Sequence, residues 1–259
     1  MRAFAAAFLL ALSAGALGQA TAPAPAASTY TPEVGQEGKD VVWVPTPQAL
    51  VDRMLDMAKV TAKDTVYDLG SGDGRTVITA AKRGARAYGI EYNPDMVALS
   101  KSNAEKAGVS ARATFEKADL FETDLSKATV ITMFLLPDIN LKLRPKILDL
   151  KPGTRVVSNT FTMGEWEPDA KSTLDSNDGC TSSWCTALLW IVPAKVAGVH
   201  KLPQGELTLK QDFQKLSGTL VTGTQTLPVS GRVRGRAVSF SAGGHEYRGR
   251  ATAKGLELR

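Results

Sequence analysis

The stretch Val66–Arg75, "VYDLGSGDGR", constrains the fold more than any other part of the chain. An apolar, strand-forming run ends in three glycines at alternate positions, Gly70, Gly72 and Gly74. It then opens into "RTVITAAKRG", which reads as a helix stopped by Gly84. A strand that turns through glycines into a helix lets a ligand approach bare backbone, because no Cβ atoms stand in the way. The helix start adds free N–H groups and a positive dipole end. In an open α/β sheet this place lies outside the carboxyl ends of the strands, where ligands bind. An adenosine ligand also needs an acceptor for its ribose hydroxyls. Glu91, at the end of the next strand segment "ARAYGIE", is placed for that task.

The flanking pattern agrees with such a sheet. "DTVYDLG", "ARAYGIE", "ATFEKADL", "ATVITMFL", "GTRVVSNTF" and "WCTALLWIV" read as strands. Between them "NPDMVALSKSNAEKAG", capped by Asn93 and closed by Gly108, and "DINLKLRPKILDL" read as helices. A helix with Leu50, Val51, Met54, Leu55 and Ala58 on one face precedes them, with Thr46 as its cap and Pro47 at its first position. The expected fold class is α/β, a Rossmann-like, mostly parallel sheet with helices on both faces. Beyond Pro193 the segments become short, alternating and punctuated by glycine, from "GELTLKQDF" to "GLELR", which reads as a small C-terminal antiparallel β domain. The expected organisation is a signal peptide over 1–20, a flexible linker over 21–40, the α/β domain over 41–194 and the β domain over 195–259.

The glycine spacing and its charges narrow the ligand. The dinucleotide fingerprint G-x-G-x-x-G places its third glycine one position later, where this chain has Arg75. Asp68 and Asp73 would repel a pyrophosphate. They suit a ligand that carries an ammonium group, such as the amino-acid end of S-adenosylmethionine.

"MRAFAAAFLLALSAGALGQA" joins one positive charge, Arg2, to an apolar run and then to small residues at an A-x-A-like spacing. The run is shorter than the roughly 20 residues of a membrane span. It reads as a secretory signal and sets the expectation of an exported, periplasmic or extracellular protein, membrane-anchored if the leader is kept. Cys180 and Cys185, in "CTSSWC", are the two cysteines of the chain. In an oxidising compartment they can pair or remain buried thiols. No metal site is expected, since zinc needs more Cys or His than these, and His200 and His245 stand apart.

"YDLGSGDGR" followed by "GIEYNPDMV" resembles the class I S-adenosylmethionine-dependent methyltransferases. "VWVPTPQALVDRML", "FLLPDINLKLRPKI" and "SNTFTMGEWEPD" are similar, more narrowly, to the protein-lysine methyltransferase group that includes the ATP-synthase c-subunit lysine methyltransferase. The resemblance covers about residues 41–193. It implies S-adenosylmethionine as cofactor. Asp68 and the loop Gly70, Ser71, Gly72, Asp73 and Gly74 would hold the methionine part. Glu91 would take the ribose hydroxyls, Tyr92 would lie beside the adenine, and Asp119 would meet the adenine amino group. Phe134 to Asp138 would border the acceptor, with Asp138 as the candidate catalytic carboxylate and Pro45 and Thr46 at the entrance. The resemblance implies a protein substrate, a lysine side chain above all.

The (D/N)PPY motif of methyltransferases acting on DNA bases or glutamine is absent, and "FLLPD" stands in its place. Three readings remain open at this stage: a methyltransferase acting on an exported or envelope protein, a non-catalytic adenosine-ligand-binding protein, and a scaffold built around the β domain. From Lys195 onward, 11 Lys and Arg face 4 Asp and Glu, so this part carries +7 while the whole chain carries +5. A basic surface of this kind suits an anionic partner. "GRVRGR" and "YRGR" lack the interleaved aromatics of a single-strand platform, so no specific nucleic acid is expected.

Overall fold

The computed structural model describes residues 30–258; the expected leader at 1–20 lies outside them. The first sheet has the order β3-β2-β1-β4-β5-β7-β6. Its parallel part comprises β1 (Thr65–Leu69), β2 (Arg86–Glu91), β3 (Ala113–Lys117), β4 (Val130–Met133) and β5 (Arg155–Asn159). β7 (Thr186–Ile191) runs antiparallel to β5 and carries the short edge strand β6 (Ala170–Thr173). The strand order reverses between β1 and β4, and there the chain opens the crevice that α/β sheets use for ligands.

Helices α1 (Gln48–Met57), α2 (Arg75–Lys82) and α3 (Pro94–Lys106) cover one face of this sheet, and α4 (Pro137–Leu148) covers the other. β1 is buried at all five positions, which is why it reads as a continuous apolar run rather than an alternating one. In β7, Ala187 and Leu189 enter the core under α1 and α2, while Leu188 and Trp190 enter the core under α4. Asn93 caps α3 as expected, its side-chain oxygen accepting from the amides of Asp95 and Met96. Thr46 does not cap α1. Pro47 occupies the cap position without a side-chain bond, and Thr46 turns its hydroxyl to Asn159.

The second sheet is an antiparallel meander: β8 (Gly198–Leu202), β9 (Gly205–Asp212), β10 (Lys215–Thr222), β11 (Gln225–Arg234), β12 (Ala237–Ala242), β13 (His245–Thr252) and β14 (Gly255–Leu258). β6 and β8 carry no clear signal in the sequence. Each is short and mostly exposed, without the apolar run that marks the buried strands. β14 and β8 approach each other without pairing, so the sheet curls most of the way to a barrel around Leu207, Leu220, Val233 and Phe240. It is fastened to the first sheet at the 167–169 segment. The buried Gln214 amide donates to the Glu167 carbonyl at 2.7 Å, Lys215 pairs with the Glu167 carboxylate at 2.7 Å, and Arg232 pairs with Asp169 at 3.3 Å. Among the described residues no helix is long and apolar enough to cross a membrane.

The foot of the first sheet, opposite the crevice, is locked by Asp64. Its carboxylate accepts from the Thr61 amide and the Thr129 hydroxyl, each at 2.8 Å, and from the Arg155 guanidinium. Burial alone would raise the Asp64 carboxyl, but the bonds from Thr129, Thr61 and Arg155 hold it below the usual carboxylate value. The depressed folded value makes this contribution present above the unfolded value, near 3.8, and lost as pH falls through the folded one. Asp64→Ala strands the Arg155 guanidinium and is expected to lower unfolding free energy by about 3 kcal/mol at pH 7. Urea titrations followed by tryptophan fluorescence should show that gap narrowing below about pH 4.

Candidate active site

The loop from Gly70 to Gly74 runs out of β1 with positive φ at all three glycines: 74°, 54° and 83°. Residues with a Cβ rarely adopt that region. At Gly72 a Cβ would lie 2.5 Å from the Trp43 indole nitrogen, so space and torsion both demand glycine. Gly74 caps α2, and a Cβ there would meet the Phe115 ring at 2.8 Å and Ser100 at 2.9 Å. Gly74 therefore does not line the cavity; it seats α2 against β3 and α3. Gly89, which no sequence motif singles out, serves the same packing, its bare Cα facing Phe115 and the Ser71 hydroxyl.

Glu91 closes the loop from the neighbouring strand. One carboxylate oxygen accepts from the Gly72 amide and the other from the Asn93 amide, both at 2.9 Å. Each oxygen keeps a further lone pair for a hydroxyl donor. A cavity lies over the loop and opens to solvent. Asp68, Gly70, Ser71, Gly72, Asp73, Glu91, Tyr92 and Asp119 all line it, as do Pro45 and Thr46. Asp138 does not. It is exposed in the first turn of α4, directly after Pro137, where its charge meets the positive end of that helix.

Three carboxylates converge on the cavity floor with little cationic compensation. Asp73 is held by Arg75, its two oxygens meeting the guanidinium at 3.0 and 2.6 Å. The same guanidinium also donates to the Thr46 carbonyl at 3.0 Å. Among the described residues Asp68 has no cation beside it; the Thr132 hydroxyl donates to it at 2.7 Å. Burial pushes the Asp68 carboxyl up to about 7, with the Asp73 and Glu91 charges adding to the rise and the Thr132 and Thr76 hydroxyls opposing it. The Ser71 hydroxyl, buried against Gly89, has no hydrogen-bond partner among the described residues. A buried carboxylate without a cation fits the ammonium of an amino acid. The Glu91 oxygens fit a ribose diol.

The segment from Gln36 to Thr46 crosses the cavity as a strap, pinned to itself by the Gly35 amide on the Trp43 carbonyl (2.8 Å) and the Trp43 amide on the Gln36 carbonyl (2.9 Å). Its Lys39 pairs with Asp119 at 2.5 Å and lies 4.8 Å from the centre of the Tyr92 ring. Residues 36–40, expected in the linker, thus form part of the cavity wall. Their hold is electrostatic and long-range, and a run of small and charged residues does not advertise it.

The ANTKMT methyltransferase domain model matches residues 68–170. A protein-lysine N-methyltransferase of Saccharolobus islandicus (strain REY15A) is 49% identical over 164 residues, covering 62% of this chain and 96% of that protein. The mouse lysine N-methyltransferase of the ATP synthase c-subunit is 35% identical over 128 residues, and the match spans about half of each protein, 49% and 51%. Among solved structures, an RNA methyltransferase from Salinibacter ruber in complex with S-adenosyl-L-homocysteine is 48% identical with a TM-score of 0.55. It covers 59% of this chain and 96% of that one.

Asp68 sets a pH dependence for any ligand whose ammonium it partners. Below about pH 7 the carboxyl carries a proton that binding must expel. Affinity for S-adenosylhomocysteine, measured calorimetrically, is therefore expected to rise roughly twentyfold from pH 5.5 to 7.5. Asp68→Asn should bind more weakly and with a flat profile over that range.

Proposed function

Because the chain belongs to the S-adenosylmethionine-dependent methyltransferases, in the family of the ANTKMT-type domain and the Saccharolobus protein-lysine N-methyltransferase, we propose that it methylates the side-chain nitrogen of lysine in a protein substrate. One observation carries the lysine reading, namely the character of the cleft that adjoins the cofactor cavity. It is walled by Phe134, Leu135, Leu136, Phe161 and Trp184, with Glu37 and Asp40 at its rim. Among the described residues lining it, the one cation, Lys39, is already paired with Asp119. Such a mouth suits a cationic side chain and repels a phosphate backbone. Arg234, Arg248 and Arg250 stand away from it, on β11 and β13 of the second sheet.

S-adenosylmethionine, when bound, supplies an electrophilic methyl group. The chain's own contribution is placement and dryness. Asp68 and Ser71 would hold the amino-acid end, and Glu91 the ribose. Phe134 and Leu135, shared by both cavities, bring the acceptor against the donor. An amine attacks only in its neutral form, so a bound lysine sheds its proton before the methyl group is transferred. The Cys180–Cys185 bridge supports work in an oxidising compartment, in keeping with the exported state read from residues 1–20.

Incubation of the protein with methyl-labelled S-adenosylmethionine and an envelope-protein fraction, followed by acid hydrolysis, is expected to yield labelled methyl-lysines. Glu91→Ala should reduce the label at least tenfold at limiting donor, since the ribose diol loses both acceptors and the Gly72 amide loses its partner. Label in RNA, with none in lysine, would overturn the proposal.

A further inference from the structure

Three aromatic rings meet beside the cofactor cavity, each delivered by a different connection. Phe134 follows β4, Phe161 follows β5, and Trp184 lies in the loop that the Cys180–Cys185 disulfide closes before β7. Ring centres are 6.0 Å apart for Phe134 and Phe161, 6.0 Å for Phe134 and Trp184, and 5.3 Å for Phe161 and Trp184. Nothing in the cofactor cavity requires this arrangement, since Phe161 and Trp184 do not line it.

Placing Phe161 strains the backbone before it. Thr160 sits at φ 59°, a region that β-branched residues avoid. A buried polar set holds it there. The Thr160 hydroxyl donates to the Asn159 side-chain oxygen at 2.9 Å, and the Asn159 amide reaches the Thr46 hydroxyl at 3.3 Å. The wholly buried Asn140 donates to the carbonyls of Phe161 and Thr162 at 3.3 and 3.1 Å. Trp184 is fixed by its own loop, its amide donating to the Ser182 hydroxyl at 3.0 Å between the bridged cysteines.

We propose that Phe134, Phe161 and Trp184 form an ammonium-binding vestibule for the acceptor side chain, with the disulfide-closed loop as its specificity-determining wall. This rests on the lysine reading above and names the residues that would recognise the lysine. Ring faces attract a cation through their quadrupole. An ammonium that gains methyl groups loses hydrogen-bond donors but keeps its charge, so ring faces hold it at every stage of methylation. Glu37 adds a field of the right sign, while Asp40 stands 3.9 Å from Lys39. Phe134 belongs to both cavities, so a side chain lying across the rings reaches toward the donor.

The probe is Nε-trimethyllysine amide, titrated calorimetrically into the full protein saturated with S-adenosylhomocysteine. Saturable binding is expected for the native protein, about tenfold weaker for Trp184→Ala and near native for Trp184→Phe. A variant with Cys180→Ser and Cys185→Ser should lose severalfold in probe affinity. S-adenosylhomocysteine affinity should be unchanged in all three variants, which also shows that they fold. No saturable binding by the native protein, or undiminished binding by Trp184→Ala, would overturn the vestibule even if lysine is the labelled acceptor. Undiminished binding by the double cysteine variant would overturn the role of the bridged loop. Probe binding that depends on Trp184 would uphold the vestibule, and the labelling experiment alone decides the lysine reading.

Discussion

The site depends first on one hydrogen bond, from the Gly72 amide to the Glu91 carboxylate at 2.9 Å. It ties the turn after β1 to the end of β2, and it can form only because Gly72 sits at positive φ with the Trp43 indole where a side chain would be. The bond sets the height of the loop over the sheet and orients Glu91 toward the cavity. It also leaves the backbone of residues 70–73 as the cavity floor. Gly74 and Gly89 extend the same constraint inward, since α2, α3 and β3 reach their spacing only with those Cβ atoms absent.

Electrostatics then selects the ligand that this geometry admits. Asp73 is neutralised by Arg75 and Asp119 by Lys39, which leaves Asp68 and Glu91 as the carboxylates of the cavity floor without a cation among the described residues. Burial penalises an ionised Asp68, and the charges of Asp73 and Glu91 raise the penalty further. A cation in the cavity would relieve it. A pyrophosphate would add to it, which is the physical difference between this loop and a dinucleotide fold with similar glycines. Arg75 stands where a dinucleotide fold keeps its third glycine. Here its guanidinium joins the loop to the strap at Thr46.

The parts of this arrangement visible in the sequence are those made by neighbours in the chain. The β1–loop–α2 unit, Glu91 at the end of β2, the cap at Asn93 and the meander beyond Pro193 are local patterns, and short-range chemistry fixes them. Thr46 departs from its expected role because a Thr-Pro pair before a helix has two uses, and only the approach of Asn159 from β5 decides between them. Asp138 is near "FLLP" in the chain, but the start of α4 lifts it out of the cavity while Ile139 goes in. Trp43 and Phe161 lie in segments that carry the family resemblance, but nothing local to them, to Lys39 or to Trp184 fixes where these side chains meet. Each reaches the site through a contact across the sheet order, which no local pattern encodes. Thr160 is legible only in the structure, since nothing about a threonine after a strand announces a left-handed backbone.

The two cavities share one wall, the strap from Glu37 to Val44 with Phe134 and Leu135, but they are anchored differently. The donor side is set by β1, β2 and the glycine turn, all inside the first sheet's core. The acceptor side is set by loops beyond β4 and β5 and by a covalent bridge before β7. Loss of the bridge therefore loosens Trp184 and leaves Glu91, Asp68 and the glycine turn as they were. The strap is the element through which the sides communicate. Its Lys39 engages Asp119 over the donor cavity while its Val42 lines the aromatic cleft. An adenine amino group that reaches Asp119 meets a carboxylate already engaged by Lys39, and any shift of the strap that follows also moves the wall shared with the aromatic cleft.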